Sequence, residues 1–150
     1  GRQRQAQKQL IAVGRRLWMR SSDVLWVLYR KLRVSCGMSQ ASLQRSNRIL
    51  RKLLASPTAV QLLQNRHLHQ VVMCVVFGAS KVEGEAGVTF KSIIAEHKAS
   101  LDCGESLYWS VSMHKGNPKP PVTDSQKGNI IEFYNSVFIP ACKDILLNDD

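Results

Sequence analysis

At 150 residues and 44% hydrophobic content the chain can bury one respectable core, which predicts a single domain. No apolar run approaches the ~20 residues that cross a bilayer, and no initiating Met or signal-peptide pattern is present, so the sequence reads as a domain of the cell interior excised from a longer chain. The net charge of +10 is uneven: residues 1–53 carry 13 Lys/Arg against Asp23 alone, whereas 54–150 carry 8 against 10 acids. A basic first third suits nucleic acid, an acidic protein or a nuclear address. Basic and apolar positions alternate there, however, with few aromatics for base stacking, which fits solvated faces of amphipathic helices better.

Leu10, Val13 and Leu17 recur at helical spacing and predict a first helix to about Met19. Ser21-Ser22-Asp23 reads as an N-cap cluster opening a second helix, with Leu25, Leu28 and Leu32 on one stripe and Cys36-Gly37 at its end. Ser39 caps a third, with Leu43, Leu50 and Leu54 on one side and Arg45, Arg48, Arg51 and Lys52 elsewhere. Ser56-Pro57 ends that helix, because the residue before proline is pushed out of helical geometry. Thr58 to Leu63 suits a short helical turn.

HLHQVVMCVVFG, entered from Arg66, is apolar on every side from Val71 to Phe77 and predicts a helix at the centre of a bundle. VEGEAG (82–87) reads as a loop, and Phe90, Ile93, Ile94 and His97 then repeat at i, i+3, i+4, i+7. Residues 107–113 alternate weakly and suit extended backbone, and KGNPKPP (115–121) is a Pro/Gly loop. Asp124 or Ser125 caps a last helix through about Leu147, with a kink at Pro140. The expected fold is all-α, five or six helices around a central one, without internal repeats.

Parts for catalysis are missing. No Ser, Cys or Thr has a base in a recognisable arrangement, the glycines of VEGEAG lack the ending of a phosphate loop, and Glu83 and Glu85 read as solvated loop acids. Cys36, Cys74, Cys103 and Cys142 show no metal spacing and read as reduced thiols. His67 and His69, two apart, are expected to point to different sides and to be structural, like His97 and His114. No metal or other cofactor is expected. What remains is a pair of stripes: Cys74, Phe77 and Lys81 at i, i+3, i+7, and Ile131, Tyr134, Asn135 and Phe138 at i, i+3, i+4, i+7. Packed together they could bound an apolar groove with a few hydrogen-bonding groups, the make-up of a peptide site. Periodicity alone leaves equally open that Tyr134 and Asn135 bond to the protein's own loops.

Three blocks, NRHLHQVVMCVVFGASKV (65–82), VTFKSIIAEHK (88–98) and NIIEFYNSVFIPACKDILL (129–147), strongly resemble the B half of the pocket of retinoblastoma-family proteins. The elements that carry the likeness are RHL-x-Q followed by C-x-x-[YF]-G-x-x-K-V, then F-K-x-I-I, then I-I-x-F-Y-N-x-x-F. FIPA looks closer to plant and green-algal members; residues 1–60 match in helical pattern only. The resemblance implies a cyclin-like domain over 1–150, with residues 1–22 a junction or linker helix. It implies a groove for an extended Leu-x-Cys-x-Glu peptide of chromatin modifiers, cyclin-type proteins or viral proteins.

Carried over by position, Tyr134 and Asn135 would bond the peptide backbone, with Lys81 helping. Cys74, Phe77, Val82, Phe90, Ile131 and Leu147 would shape the Leu and Cys pockets. The amides of Phe90 and Lys91 at a helix start would receive the peptide's Glu, a placement that free N–H groups and the helix dipole favour. Lys91 and Lys143 would stand at the rim. Further implied partners are the pocket A half of the same full-length chain and, through the whole pocket, cell-cycle transcription factors. The expected role is a nuclear, non-catalytic co-repressor module controlling cell-cycle progression. The alternative is a basic cyclin-like domain that contacts nucleic acid or the general transcription machinery.

Two positions depart from the family pattern. Phe77 stands where members usually carry Tyr, and its missing hydroxyl would be worth about 0.5–1.5 kcal/mol of peptide binding. Glu132 replaces an apolar residue of animal members and is expected to be solvated.

Overall fold

The computed structural model describes residues 1–64, 66–115 and 127–148. α1 (Arg2–Cys36) is one continuous helix where the sequence predicts two. Ser21 does not cap a new helix: it is fully buried, and its hydroxyl donates back to the Leu17 carbonyl at 2.7 Å. A serine satisfied in this way sits inside a helix without breaking it. Trp18 is the first described side chain of α1 to pack on the core, and the Arg51 guanidinium lies 5.0 Å above its ring. α1 stops where expected. Gly37 takes a left-handed conformation (φ 73°), Gly37 N–H donates to Arg33 O, and Met38 N–H reaches Leu32 O at 3.3 Å.

α2 (Gln40–Leu54) opens on Ser39, whose hydroxyl accepts the Ser42 N–H at 3.2 Å. α3 (Pro57–Leu63) carries Pro57 in its first turn, where a missing N–H costs nothing. α4 (Leu68–Val82) is the central helix and packs against α1, α2, α3, α5 and the last helix. Val72, Met73, Cys74, Val75 and Val76 have no exposure. Each such aliphatic side chain stabilises by roughly 1.5–3 kcal/mol, and a charge introduced among them would have no partner.

The start of α4 is fastened by polar side chains. His67 Nδ1 accepts the His69 N–H, while Gln70 Oε1 accepts the His67 N–H and Gln70 Nε2 donates to Leu107 O at 2.8 Å. Arg66 donates to the carbonyls of Leu62, Ser112 and His114 and lies 4.6 Å over the Phe133 ring. Burial lowers its pKa to about 10, which leaves it charged at neutral pH.

The 82–87 loop is not the solvated segment that the sequence suggests. Glu83 pairs with Arg45 at 2.6 Å, and Glu85 accepts the Ser39 N–H at 3.0 Å and the hydroxyls of Ser39 and Ser42. Burial opposes ionisation of Glu85, but these hydrogen bonds outweigh it and hold the carboxyl below its ordinary value. The loop is thereby docked on the start of α2.

α5 (Phe90–Leu101) begins with a reciprocal cap between Thr89 and Ser92, and Phe90, Ile93, Ile94 and His97 are all buried as predicted. Only part of 107–113 is extended: α6 (Ser106–Trp109) precedes β1 (Val111–Ser112), which pairs antiparallel with β2 (Lys127–Gly128). The predicted Pro/Gly loop, apart from Lys115, and the predicted caps Asp124 and Ser125 lie outside the described residues.

The last helix starts later than expected. Asn129 caps it, its side chain accepting the Glu132 N–H at 2.8 Å. It runs as α7 (Ile130–Phe133), a π-turn (Tyr134–Phe138) and α8 (Ile139–Leu147). In the π-turn the Ile139 N–H reaches back to Tyr134 O. Pro140 has no N–H for the helical ladder, and the strain expected there is taken up by widening the helix just ahead of it.

Candidate functional site

The C-terminal half of α4 and the π-turn and α8 face each other across a groove of about 340 Å³. α4 contributes Gly78, Lys81 and Val82; the opposite wall is Tyr134, Asn135, Ile139, Lys143, Leu146 and Leu147. Gly78 lets the walls close up, since a Cβ there would lie 3.1 Å from Leu146 Cδ2 and 3.4 Å from the Tyr134 hydroxyl.

Beneath one end lies an aromatic cluster. Phe77 stacks on Phe90 with centroids 4.4 Å apart and meets Tyr134 edge-on at 4.9 Å, while Tyr134 stacks on Phe138 at 5.7 Å. Phe90 is also 5.4 Å from Tyr134, so the start of α5 abuts the groove. Such contacts fix ring orientation and add about 0.5–1.5 kcal/mol per pair beyond area burial.

The polar groups of this region are unusual in what they lack. Among the described residues, neither the Tyr134 hydroxyl nor the Asn135 amide has a hydrogen-bond partner, and neither Lys81 nor Lys143 has an ion pair. Burial raises the Tyr134 pKa to about 12, so the phenol stays protonated and can donate. The groove combines an apolar floor, a donor, an amide able to donate and accept, and two ammonium groups, with no acid among the described residues of its lining.

Of the positions singled out from sequence, Lys81, Val82, Tyr134, Asn135, Lys143 and Leu147 line this groove. Phe77 and Phe90 stand beside it in the aromatic cluster. Cys74 is completely buried, and burial, with the nearby Cys142 thiol, pushes its pKa well up. Lys91 is exposed in the first turn of α5, where no described group accepts from the N–H of Phe90 or Lys91. Ile131 is 43% exposed and outside the groove lining, and Phe138 is fully buried, so the expected i, i+3, i+4, i+7 stripe does not form one face. The wall continues downstream instead, through Asn135, Ile139, Lys143 and Leu146. Ile139 and Leu146 were legible only by extending the helical period past Asn135, and Gly78 only by following the α4 stripe four residues on from Cys74. Glu132 is exposed, as expected.

A second constellation gave no sequence signal. The rings of His67 and His69 are not on different sides; they meet edge-on at 4.5 Å because His67 lies just outside the helix as its cap. His69 Nδ1 lies 2.9 Å from His97 Nε2 and 3.7 Å from the Cys103 sulfur, residues distant in sequence. Burial, followed by the neighbouring imidazoles, lowers the pKa of both His69 and His97 to about 4.

With this geometry in hand, the family model described as retinoblastoma-associated protein B domain matches residues 15–143. The chain belongs to the retinoblastoma family. Retinoblastoma-related protein 1 of Oryza sativa subsp. indica is 32% identical over 111 residues, which are 73% of this chain and 11% of that protein. Retinoblastoma-related protein 3 of Zea mays is 31% identical over 127 residues, 84% of this chain and 12% of that protein. Retinoblastoma-related protein 1 of Triticum aestivum is 28% identical over 123 residues, 78% of this chain and 12% of that protein. The chain therefore spans 11–12% of the length of these curated relatives. The helical architecture is that of a cyclin-like retinoblastoma B domain, and the groove lies within the matched segment except for its last residues, Leu146 and Leu147.

Proposed function

We propose that this retinoblastoma-family domain is a non-catalytic docking module that holds an extended Leu-x-Cys-x-Glu peptide in the groove between α4 and the π-turn with α8. The observation that carries the reading is the pair Tyr134 and Asn135, polar groups on an apolar floor without a partner among the described residues. An extended peptide supplies backbone N–H and C=O groups to both, while its apolar side chains enter the lining. Phe90 places the start of α5 beside Tyr134, where the amides of Phe90 and Lys91 receive the motif's Glu. Lys81, Lys91 and Lys143 draw in acidic flanking residues, acting on association rate and salt dependence.

In the whole protein the module serves a nuclear co-repressor that restrains cell-cycle entry, recruiting chromatin modifiers, cyclin-type proteins or viral proteins. The A half of the pocket packs against it, with the N-terminal part of the continuous helix α1 at the junction, and the combined pocket receives cell-cycle transcription factors. Val13, Met19, Trp26 and Val34 stand exposed along α1 and suit that packing.

The basic first third keeps one second reading in view, contact with nucleic acid or the general transcription machinery. Part of that charge is engaged internally: Arg45 pairs with Glu83, Arg51 covers Trp18, and Lys52 donates to the Asn148 carbonyl at 3.2 Å. The discriminating experiment is titration of a labelled Leu-x-Cys-x-Glu peptide by fluorescence polarisation. Asn135→Ala is expected to weaken binding about thirtyfold or more, the scale of an interface hot spot, without changing thermal stability, because Asn135 is exposed. Charge reversal at Arg48, Arg51 and Lys52 is expected to leave peptide binding in place. The opposite pattern overturns the reading.

A further inference from the structure

The meeting of His69, His97 and Cys103 is independent of the groove. His69 lies in the first turn of α4, His97 in the last turns of α5, and Cys103 in the loop after α5. All three candidate ligand atoms lie within 4.8 Å of one another. Cys103 is flanked by two left-handed residues, Asp102 (φ 35°) and Gly104 (φ 88°), and its sulfur, which donates to Leu101 O at 3.3 Å, lies 3.7 Å from His69 Nδ1. We propose that His69 Nδ1, His97 Nε2 and the Cys103 thiolate form a binding site for a single zinc ion.

Ligand type and spacing both fit. Two imidazole nitrogens and a thiolate suit a borderline-soft divalent ion, and zinc prefers them in a tetrahedron. With Zn–N near 2.0–2.1 Å and Zn–S near 2.3 Å, ligand atoms of a tetrahedral site stand about 3.3–3.6 Å apart. The 2.9 Å between the histidine nitrogens and the 3.7 Å from sulfur to His69 lie on either side of that range. The remaining adjustment falls on Cys103, an exposed side chain on a loop and the easiest of the three to move.

The support behind the ligands is also present. His97 is fully buried, and its other ring nitrogen, Nδ1, hydrogen-bonds the buried Tyr108 hydroxyl. With Nδ1–H donating to the Tyr108 oxygen, Nε2 turns its lone pair to the metal, the arrangement that outer partners impose on metal-bound histidines. His69 then carries its proton on Nε2 and offers Nδ1. Cys103 releases its thiol proton to solvent on binding, so zinc with one thiolate leaves a charge of +1. Asp102 and Glu105 in the same loop act against that charge; Arg20 and Lys98 add to it, and Lys98 is already paired with Glu105 at 2.8 Å. Because Cys103 is exposed, water can complete the coordination from that side. A bound ion would tie the start of α4 to the end of α5.

The test uses the chain as it stands, stripped of metal with a chelator and titrated with zinc against a chromogenic competitor, then with cobalt in its place. One equivalent of zinc per chain and a near-ultraviolet thiolate-to-cobalt charge-transfer band are expected. Tyr108→Phe is expected to weaken zinc about 10–100-fold. Cys103→Ala and His69→Gln should each weaken it further, and Cys103→Ala should abolish the band. Cys103 is exposed, so this variant should unfold at the same temperature as the parent in chelator, and it carries the test if Tyr108→Phe folds poorly. Zinc held equally well by Cys103→Ala, or a cobalt band that survives it, overturns the site.

Discussion

The two ends of α4 treat polar side chains in opposite ways. At its start Arg66, His67 and Gln70 are all bonded within the chain, tying α4 to Leu107, Ser112 and His114. At its end Lys81 faces Tyr134 and Asn135 across an apolar floor, and none of the three has a hydrogen-bond or ion-pair partner among the described residues. The same helix thus separates polar groups that hold the fold from polar groups without a partner among the described residues. Polar residues in or near a core carry no functional meaning until their partners are counted, and here the count differs between the two ends.

The contrast predicts different failures. The largest should come from Arg66→Ala, which strips hydrogen bonds from three carbonyls and uncovers Phe133. A loss of about 2–4 kcal/mol in denaturant unfolding is expected, with the folded fraction still binding peptide at parent affinity. A variant that kept its stability but lost the peptide would erase the distinction between the ends.

Glu85→Gln should cost less, about 1–3 kcal/mol at neutral pH, through the weakened bonds to Ser39 and Ser42. Because the folded-state pKa of Glu85 is depressed, its contribution is complete above the ordinary glutamate pKa of about 4.3. It fades as pH falls through the lower folded value. Unfolding curves of parent and variant should therefore converge in acid, and a gap that widened there would contradict the assignment.

The smallest effect is expected at the groove. Phe77→Tyr adds a hydroxyl to a partly exposed ring beside Tyr134 and should tighten the peptide by up to about tenfold with little change in stability. A tyrosine variant that bound no better would remove Phe77 from the site.

Much of the helical frame was legible because its signals are local. The all-round apolar run of α4, the Ser39 cap and the Gly37 stop each depend on neighbours within a turn or two. Ser21 was misread because a serine ahead of an apolar run can cap a helix or bond back into one, and only its burial decides which. Pro140 marked a disturbance in the last helix without revealing that it would be a π-turn, so half of the predicted stripe rotated away from the groove. Glu85 with Ser39, and His69 with His97 and Cys103, are contacts across dozens of residues, and spacing along the chain carries no trace of them.

The most direct test of the account follows backbone amides of the nitrogen-15-labelled domain by NMR as a Leu-x-Cys-x-Glu peptide is added. The account predicts shifts that saturate together at Lys81, Asn135, Ile139 and Leu147 and at the start of α5, with His67 to Gln70 unmoved. Shifts gathered on the basic residues of α1 and α2, with the groove amides silent, would contradict it.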